Sequence, residues 1–197
     1  VTVAGSGSAG VLASWGSQHV GDAPKHLHDS PNILGHNHQL QVLRRTPSAS
    51  SLYQTLVSAV LRDGSLWITT WRVAPDGKLT QLDSRGYGSN RRLDVTDYSL
   101  AHRAVGSASS ERFQLLTPIF HSAGKFRVVT WEINGESGQI TGKYDSSDTT
   151  LTAAESSDLS ASLNAGDALT GPHYVVALST DAGRLAHTLW DVTDAGQ

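Results

Sequence analysis

Residues 56–71 read LVSAVLRDGSLWITTW, residues 116–131 read LTPIFHSAGKFRVVTW, and residues 175–190 read VVALSTDAGRLAHTLW. The three stretches align without a gap. Each has a glycine (Gly64, Gly124, Gly183) seven residues before its tryptophan and a Val or Ile (Val73, Ile133, Val192) two residues after it. Trp15, Trp71, Trp131 and Trp190 follow one another at intervals of 56, 60 and 59 residues, and only Trp67 stands outside the series. A fixed period of this length marks a repeat architecture in which each unit is one supersecondary element. The copy around Trp15 is degenerate, with Gly16 and Ser17 where the others carry the x-Val pair.

Each unit reads as β. Asp63-Gly64 and its counterparts are hairpin punctuation between an apolar strand and the strand that carries the tryptophan. In that second strand Leu66, Ile68 and Thr70 are expected on one face and Trp67, Thr69 and Trp71 on the other. Phe126, Val128 and Thr130 alternate likewise with Arg127, Val129 and Trp131. Apolar residues on both faces predict sheets stacked on sheets, because a sandwich with one solvated side would alternate more cleanly. A second turn, Ala74-Pro75-Asp76-Gly77, leads to a strand over 78–82. Asp29-Ser30, Asp83-Ser84 and Asp145-Ser146 recur at the end of that element, followed by a longer polar stretch and another short strand, as over 98–105.

About four strands in a period of about 59 residues is the signature of a β-propeller blade. With strands lettered A to D from the axis outward, the chain runs B-C-D, then A-B-C-D twice, then A-B-C. The expectation is therefore an all-β chain, one propeller segment over 1–197, with units near 1–30, 31–86, 87–147 and 148–197. That makes about three and a half blades of four antiparallel strands, whereas roughly four or more are needed to close a ring. Completion by a second copy in a homo-oligomer, or by further parts of a longer chain, is expected.

The G-x6-W-x-[VI] repeat resembles the propeller repeats of secreted bacterial and fungal proteins, including lectins with blades of similar length. The likeness runs along the whole chain but lies in framework positions. It implies an architecture and a lectin-like, carbohydrate-binding context, and it carries over no binding residue. The WD dipeptide of another propeller class occurs here only as Trp190-Asp191, and an Asp-rich calcium loop is lacking.

Composition bounds the function. With 15 Lys+Arg against 18 Asp+Glu, the net charge of −3 lacks the basic footprint of a nucleic-acid binder. No apolar run approaches the roughly 20 residues of a membrane-spanning helix. With no cysteine, disulfides, thiolate zinc sites and cysteine nucleophiles are excluded. Ser and Gly abound, Arg outnumbers Lys and Asp outnumbers Glu, a profile common in secreted proteins, so an extracellular setting is expected. Val1 in place of methionine predicts a processed or excised chain.

The four in-register tryptophans read as wedges between sheets rather than as a sugar-stacking set. Four of nine histidines fall within 26–38. In a regular strand residues i and i+2 share a face, so His26 with His28, and His36 with His38, could converge on a divalent metal with Asp29 in reach; the plainer alternative is a solvated loop. These residues lie on the connection from strand D to strand A, which lines the mouth of an axial channel in a propeller. The next such connection carries Tyr87, Arg91 and Arg92, which suit a sugar ring or an anionic ligand. Asp29, Asp83 and Asp145 read as turn-formers that bond their own backbone. There is no G-x-S-x-G, H-E-x-x-H, phosphate-loop or dinucleotide pattern. The expectation is a cofactor-free, non-catalytic binding or assembly module that recognises a glycan or a protein partner through Tyr87, Arg91, Arg92, His36 and His38. Two alternatives stay open: a hydrolase assisted by metal at His26, His28, Asp29, His36 and His38, and a purely structural building block.

Overall fold

The computed structural model describes residues 2–6, 9–16, 23–43, 53–88, 94–105, 111–121, 125–145, 149–150, 160–163, 174–181 and 184–191. Among these residues all regular structure is β, in four antiparallel sheets that follow one another along the chain. In the first, β1 (Thr2–Ser6) lies on one side of β2 (Ala9–Gly16), and β3 (Lys25–Asp29) and β4 (Ile33–Leu34) share the other. The second is a meander of β5 (His36–Leu43), β6 (Gln54–Arg62), β7 (Ser65–Val73) and β8 (Leu79–Tyr87). In the third, β9 (Val95–Tyr98) and β10 (Ala101–Val105) share a lane beside β11 (Arg112–His121). Then come β12 (Lys125–Asn134) and a last lane made of β13 (Ile140–Asp145) and β14 (Thr149–Thr150). The fourth holds β15 (Ser160–Leu163), β16 (Tyr174–Asp181) and β17 (Arg184–Asp191). This is the expected strand sequence, three lanes, four, four and three, with each repeat tryptophan on the same lane of its sheet: β2, β7, β12 and β17.

The Asp63-Gly64 turn works because both residues take positive φ (52° and 69°), which a two-residue hairpin of this twist demands. In the third sheet the equivalent hairpin is one residue longer, since His121 pairs with Lys125 whereas Arg62 pairs with Ser65. The gap-free text alignment therefore hides a shift. Leu56 faces Trp71 and Val175 faces Trp190, but it is Leu115, not Leu116, that faces Trp131.

Central strands β6 and β11 are buried on both faces almost throughout. Val57, Ala59, Leu61, Leu66 and Ile68 of the second sheet pack against Phe113, Leu115, Val129, Trp131 and Ile133 of the third. On the opposite face of the second sheet, Leu56 and Trp71 pack against Leu12 of the first. Trp71 and Trp131 are thus wedges, each 1% exposed. Each indole N–H is satisfied at one register position, two residues before the tryptophan on the paired strand: Trp71 donates to Ser58 Oγ (2.8 Å), and Trp131 to Thr117 Oγ1 (3.0 Å). Ala177 holds that position in the fourth sheet, opposite Thr188, and brings no hydroxyl.

A second device joins neighbouring sheets. The residue just before the tryptophan donates its hydroxyl to a turn glycine of the next sheet: Ser14 Oγ to Gly77 O and Thr70 Oγ1 to Gly138 O, both at 2.7 Å. Both glycines have positive φ (86° and 73°) and receive a leucine from the preceding sheet. A Cβ on Gly77 would lie 2.5 Å from Leu27 Cδ1, and one on Gly138 would lie 2.2 Å from Leu82 Cδ1. Leu27 and Leu82 are both the extra residue of a β-bulge, which turns the side chain toward the neighbouring sheet. The recurring aspartates do not share one register position beyond the bulge. Asp29 and Asp145 lie two residues before the tryptophan in register, opposite Ala13 and Val129, whereas Asp83 lies one before, opposite Thr70. Asp83 lies inside β8 rather than in a turn, and accepts from Ser84 N (2.8 Å) and from Ile140 N of the third sheet (3.0 Å). Between sheets, β5 lies next to β1 and β10, and β10 next to β15.

Candidate functional site

Where β5 begins, the backbone is forced out of the regular pleat. Gly35 has φ 136°, and a Cβ there would lie 2.6 Å from Leu61 O. Asn37 follows at φ 52°, a conformation asparagine tolerates better than most residues. The pairing steps from His36–Leu61 to Gln39–Ala59, so one extra residue is bulged out. That bulge aims the exposed Asn37 across to the third sheet, where its Nδ2 donates to Asp97 Oδ1 at 3.2 Å. The same carboxylate oxygen accepts from Tyr98 N at 2.8 Å.

Tyr98 is the fixed base under this pair. Its side chain is fully buried, its hydroxyl meets the carbonyls of Asn37 and Ala59 (2.7 Å to the latter), and its own carbonyl accepts from Gln39 Nε2 at 2.8 Å. Burial pushes the phenol well above its ordinary pKa, so it stays a neutral donor. The first-lane strands of two sheets are thereby stitched together at one end. Val95 N donates to Gly64 O at 3.0 Å, which extends this polar rim to the hairpin between β6 and β7. There the Arg62 guanidinium carbon stands 3.9 Å above the centre of the Trp67 ring. The rim around Asn37 and Asp97 can offer a carboxamide and a carboxylate, groups that hydroxyl-rich ligands accept from and donate to, whereas Arg62 and Trp67 alternate onto the face of the second sheet that looks toward the first.

The five residues expected around a metal do not come together. His26 Nε2 lies 2.7 Å from Asp29 Oδ1 on the exposed β3. The bulge at Leu27 separates His26 from His28, so the two no longer sit at alternate positions of one pleat. The bulge after His36 does the same to His36 and His38. His36 is exposed, while the His38 ring lies against Gly10 with its Nε2 2.9 Å from Gly35 O. Among the described residues no three of His, Asp and Glu are grouped to hold a metal ion. The i, i+2 argument presumed a regular strand, and neither pair lies in one.

Tyr87 was expected to face a ligand, and its ring instead fills the seam between the second and third sheets at 3% exposure. Its hydroxyl accepts from Arg127 Nη1 (2.7 Å) and donates to Asp145 Oδ2 (3.0 Å). The ring stands edge-on to Trp131 at 6.5 Å, with Lys143 Nζ 4.9 Å from its centre. Burial pushes the phenol up to about 12, against the Arg127 hydrogen bond that lowers it. Arg91 and Arg92 lie outside the described residues. Of the expected site residues, then, His36 is exposed beside Asn37 in sequence, His38 lies against the first sheet, and Tyr87 belongs to the framework.

Sequence reasoning missed Asn37, Asp97 and the Arg62–Trp67 stack. One signal was available: Trp67 is the single tryptophan that the repeat does not require. The Asn37–Asp97 pair had no such signal, because it spans 60 residues and two sheets. Compared with protein-family models, with curated proteins and with solved structures, the chain finds no match.

Proposed function

We propose that the chain is a binding module whose sheets are consecutive blades of a β-propeller, and that it recognises a glycan with the rim around Asn37 and Asp97. The adjacency of β5, β10 and β15, which take the place of the innermost strands, supports the propeller reading, because in a propeller those strands line the axis. The observation that carries the binding reading is the exposed Asn37 side chain held 3.2 Å from Asp97 by two different sheets. A carboxamide and a carboxylate fixed side by side on a rigid base can accept and donate to neighbouring hydroxyls with little ordering cost. An extracellular setting fits such a ligand and the cysteine-free, Ser- and Gly-rich composition.

The test is binding to an array of neutral oligosaccharides, with Asn37→Gly and Asp97→Asn as probes. Glycine keeps the positive φ while deleting the carboxamide, and asparagine keeps an acceptor for Tyr98 N while removing the charge. Both variants should weaken glycan binding about tenfold or more with little change in melting temperature. Unchanged binding in both would move the ligand away from the rim.

An assembly role has its own support. Among the described residues β17 pairs only with β16, and β1 only with β2, so each has one edge open to a further strand. Rapid hydrogen exchange along Arg184–Asp191 in the intact assembly would count against covered edges.

A further inference from the structure

We propose that Asn134 is a site of deamidation, and that the joint between the second and third sheets is the gate that keeps it closed. Asn134-Gly135 is the single Asn-Gly pair in the sequence. Asparagine is thermolabile, and a following glycine, with no Cβ, leaves its amide nitrogen open to the carboxamide carbon. In the reaction the Gly135 nitrogen loses its proton to hydroxide and bonds to Asn134 Cγ. The Cγ–Nδ2 bond breaks, and ammonia leaves with a proton from water. Water then opens the cyclic imide at one of its two carbonyls, giving aspartate or isoaspartate. The isoaspartate product runs the backbone through the side-chain carbon and lengthens the turn by one methylene.

Asn134 ends β12 at the turn to β13 and is exposed, so water reaches it. Both reacting groups are otherwise engaged. Asn134 Oδ1 accepts from Glu136 N (3.0 Å), Ser137 N (2.8 Å) and Ser137 Oγ (3.1 Å), while Gly135 N donates to Glu111 O (2.9 Å). Cyclisation must swing the peptide between Asn134 and Gly135, and residues 136–138 with it. The second sheet grips that stretch at two carbonyls. Arg72 Nη2 donates to Glu136 O (2.9 Å), and Thr70 Oγ1 donates to Gly138 O (2.7 Å). Leu82 closes on Gly138 as well, where a Cβ would lie 2.2 Å from its Cδ1. The turn of the second sheet supplies the contrast. It receives Ser14 on Gly77 in the same way but begins on Ala74, so the joint itself does not require a carboxamide at this place.

The experiment incubates the intact protein in mildly alkaline buffer below its melting temperature. Peptide mapping by mass spectrometry reads the amide-to-acid change at each asparagine. Asn134 should react about tenfold or more slowly in the folded protein than in the same protein held in urea, because reaction is confined to the open fraction. Thr70→Val should speed the folded reaction about tenfold and Arg72→Ala about threefold, as expected when a buried and an exposed hydrogen bond are lost. Ser14→Ala cuts the equivalent bond between the first and second sheets and should leave the rate at Asn134 unchanged. Melting curves show that each variant is folded at the incubation temperature. A folded rate equal to that in urea overturns the inference, as does no reaction of Asn134 in urea. Unchanged rates in both Thr70→Val and Arg72→Ala overturn it too. Equal acceleration by Ser14→Ala and Thr70→Val would make global unfolding the gate, and the inference would fall.

Discussion

Thr70→Val tests the joint between sheets with the least change in shape. The side chain is fully buried, and its Oγ1 donates to Gly138 O at 2.7 Å across 68 residues of sequence. Valine keeps the branched outline and removes only the hydroxyl, so cavity terms are small. What is lost is one net hydrogen bond, about 0.5–1.5 kcal/mol, plus the penalty of leaving the buried Gly138 carbonyl without its donor, for a total of about 1–3 kcal/mol. Valine's better strand propensity returns a few tenths of that. Urea unfolding followed by tryptophan fluorescence should show a lower midpoint with an unchanged m-value, since the surface exposed on unfolding is the same. Thr69→Val is the control, because that hydroxyl meets Ser84 Oγ (2.9 Å) within one sheet and is only part-buried. A Thr70→Val midpoint at or above that of the parent, or one no lower than that of Thr69→Val, would refute the claim that this bond joins the second and third sheets.

Other perturbations reach different parts of the same framework. Trp131→Ala should cost about 3–5 kcal/mol, the usual range for a buried aromatic, and calorimetry should find the melting temperature lowered by about 2–4 °C for each kcal/mol. Gly138→Ala should destabilise by about 1–3 kcal/mol, because alanine is strained at φ 73° and its Cβ would press on Leu82 at 2.2 Å; an unchanged melting temperature would mean that the turn does not receive Leu82. Alkaline pH should destabilise the fold. Tyr87 has its folded pKa raised from 10.0 to about 12, so between those values the unfolded chain holds fewer protons and stability falls as pH rises. Tyr98 is displaced in the same direction. In a spectrophotometric titration, Tyr87 and Tyr98 should ionise only as the protein unfolds, and titration of both near 10 in the folded protein would contradict their burial.

The strand order and the two-faced burial were legible in the sequence because both follow from short-range periodicity. Trp71, Ile68 and Leu66 announce their faces by alternation alone. What failed did so at bulges. A single extra residue at Leu27 or Asn37 reverses the alternation beyond it, and no local composition marks either place, so the histidine pairs were assigned a common face they do not have. Tyr87 misled for another reason. It ends a strand and precedes a polar stretch, which reads as a loop residue, but its partners Arg127 and Asp145 are 40 and 58 residues away. Such long-range pairs decide burial without leaving a trace near the residue itself. The Asn37–Asp97 pair was invisible on the same ground.

The joint between sheets has a direction, and that direction fixes which piece of the chain is portable. The first and second sheets each give a hydroxyl forward to a turn glycine of the next, so the natural cassette is cut at the glycines rather than between sheets. Residues 78–138 form one such cassette, carrying Thr130 at its donor position and ending on its own acceptor, Gly138. A second copy inserted after Gly138 would present a fresh glycine to Thr130, as Gly138 now does to Thr70, and would lengthen the array without a mismatched seam. The same operation after the fourth sheet would not, because Leu189 stands where the donor belongs. A copy added in the middle of this chain would thus reuse the joint, whereas one added after the fourth sheet would lack its hydroxyl donor.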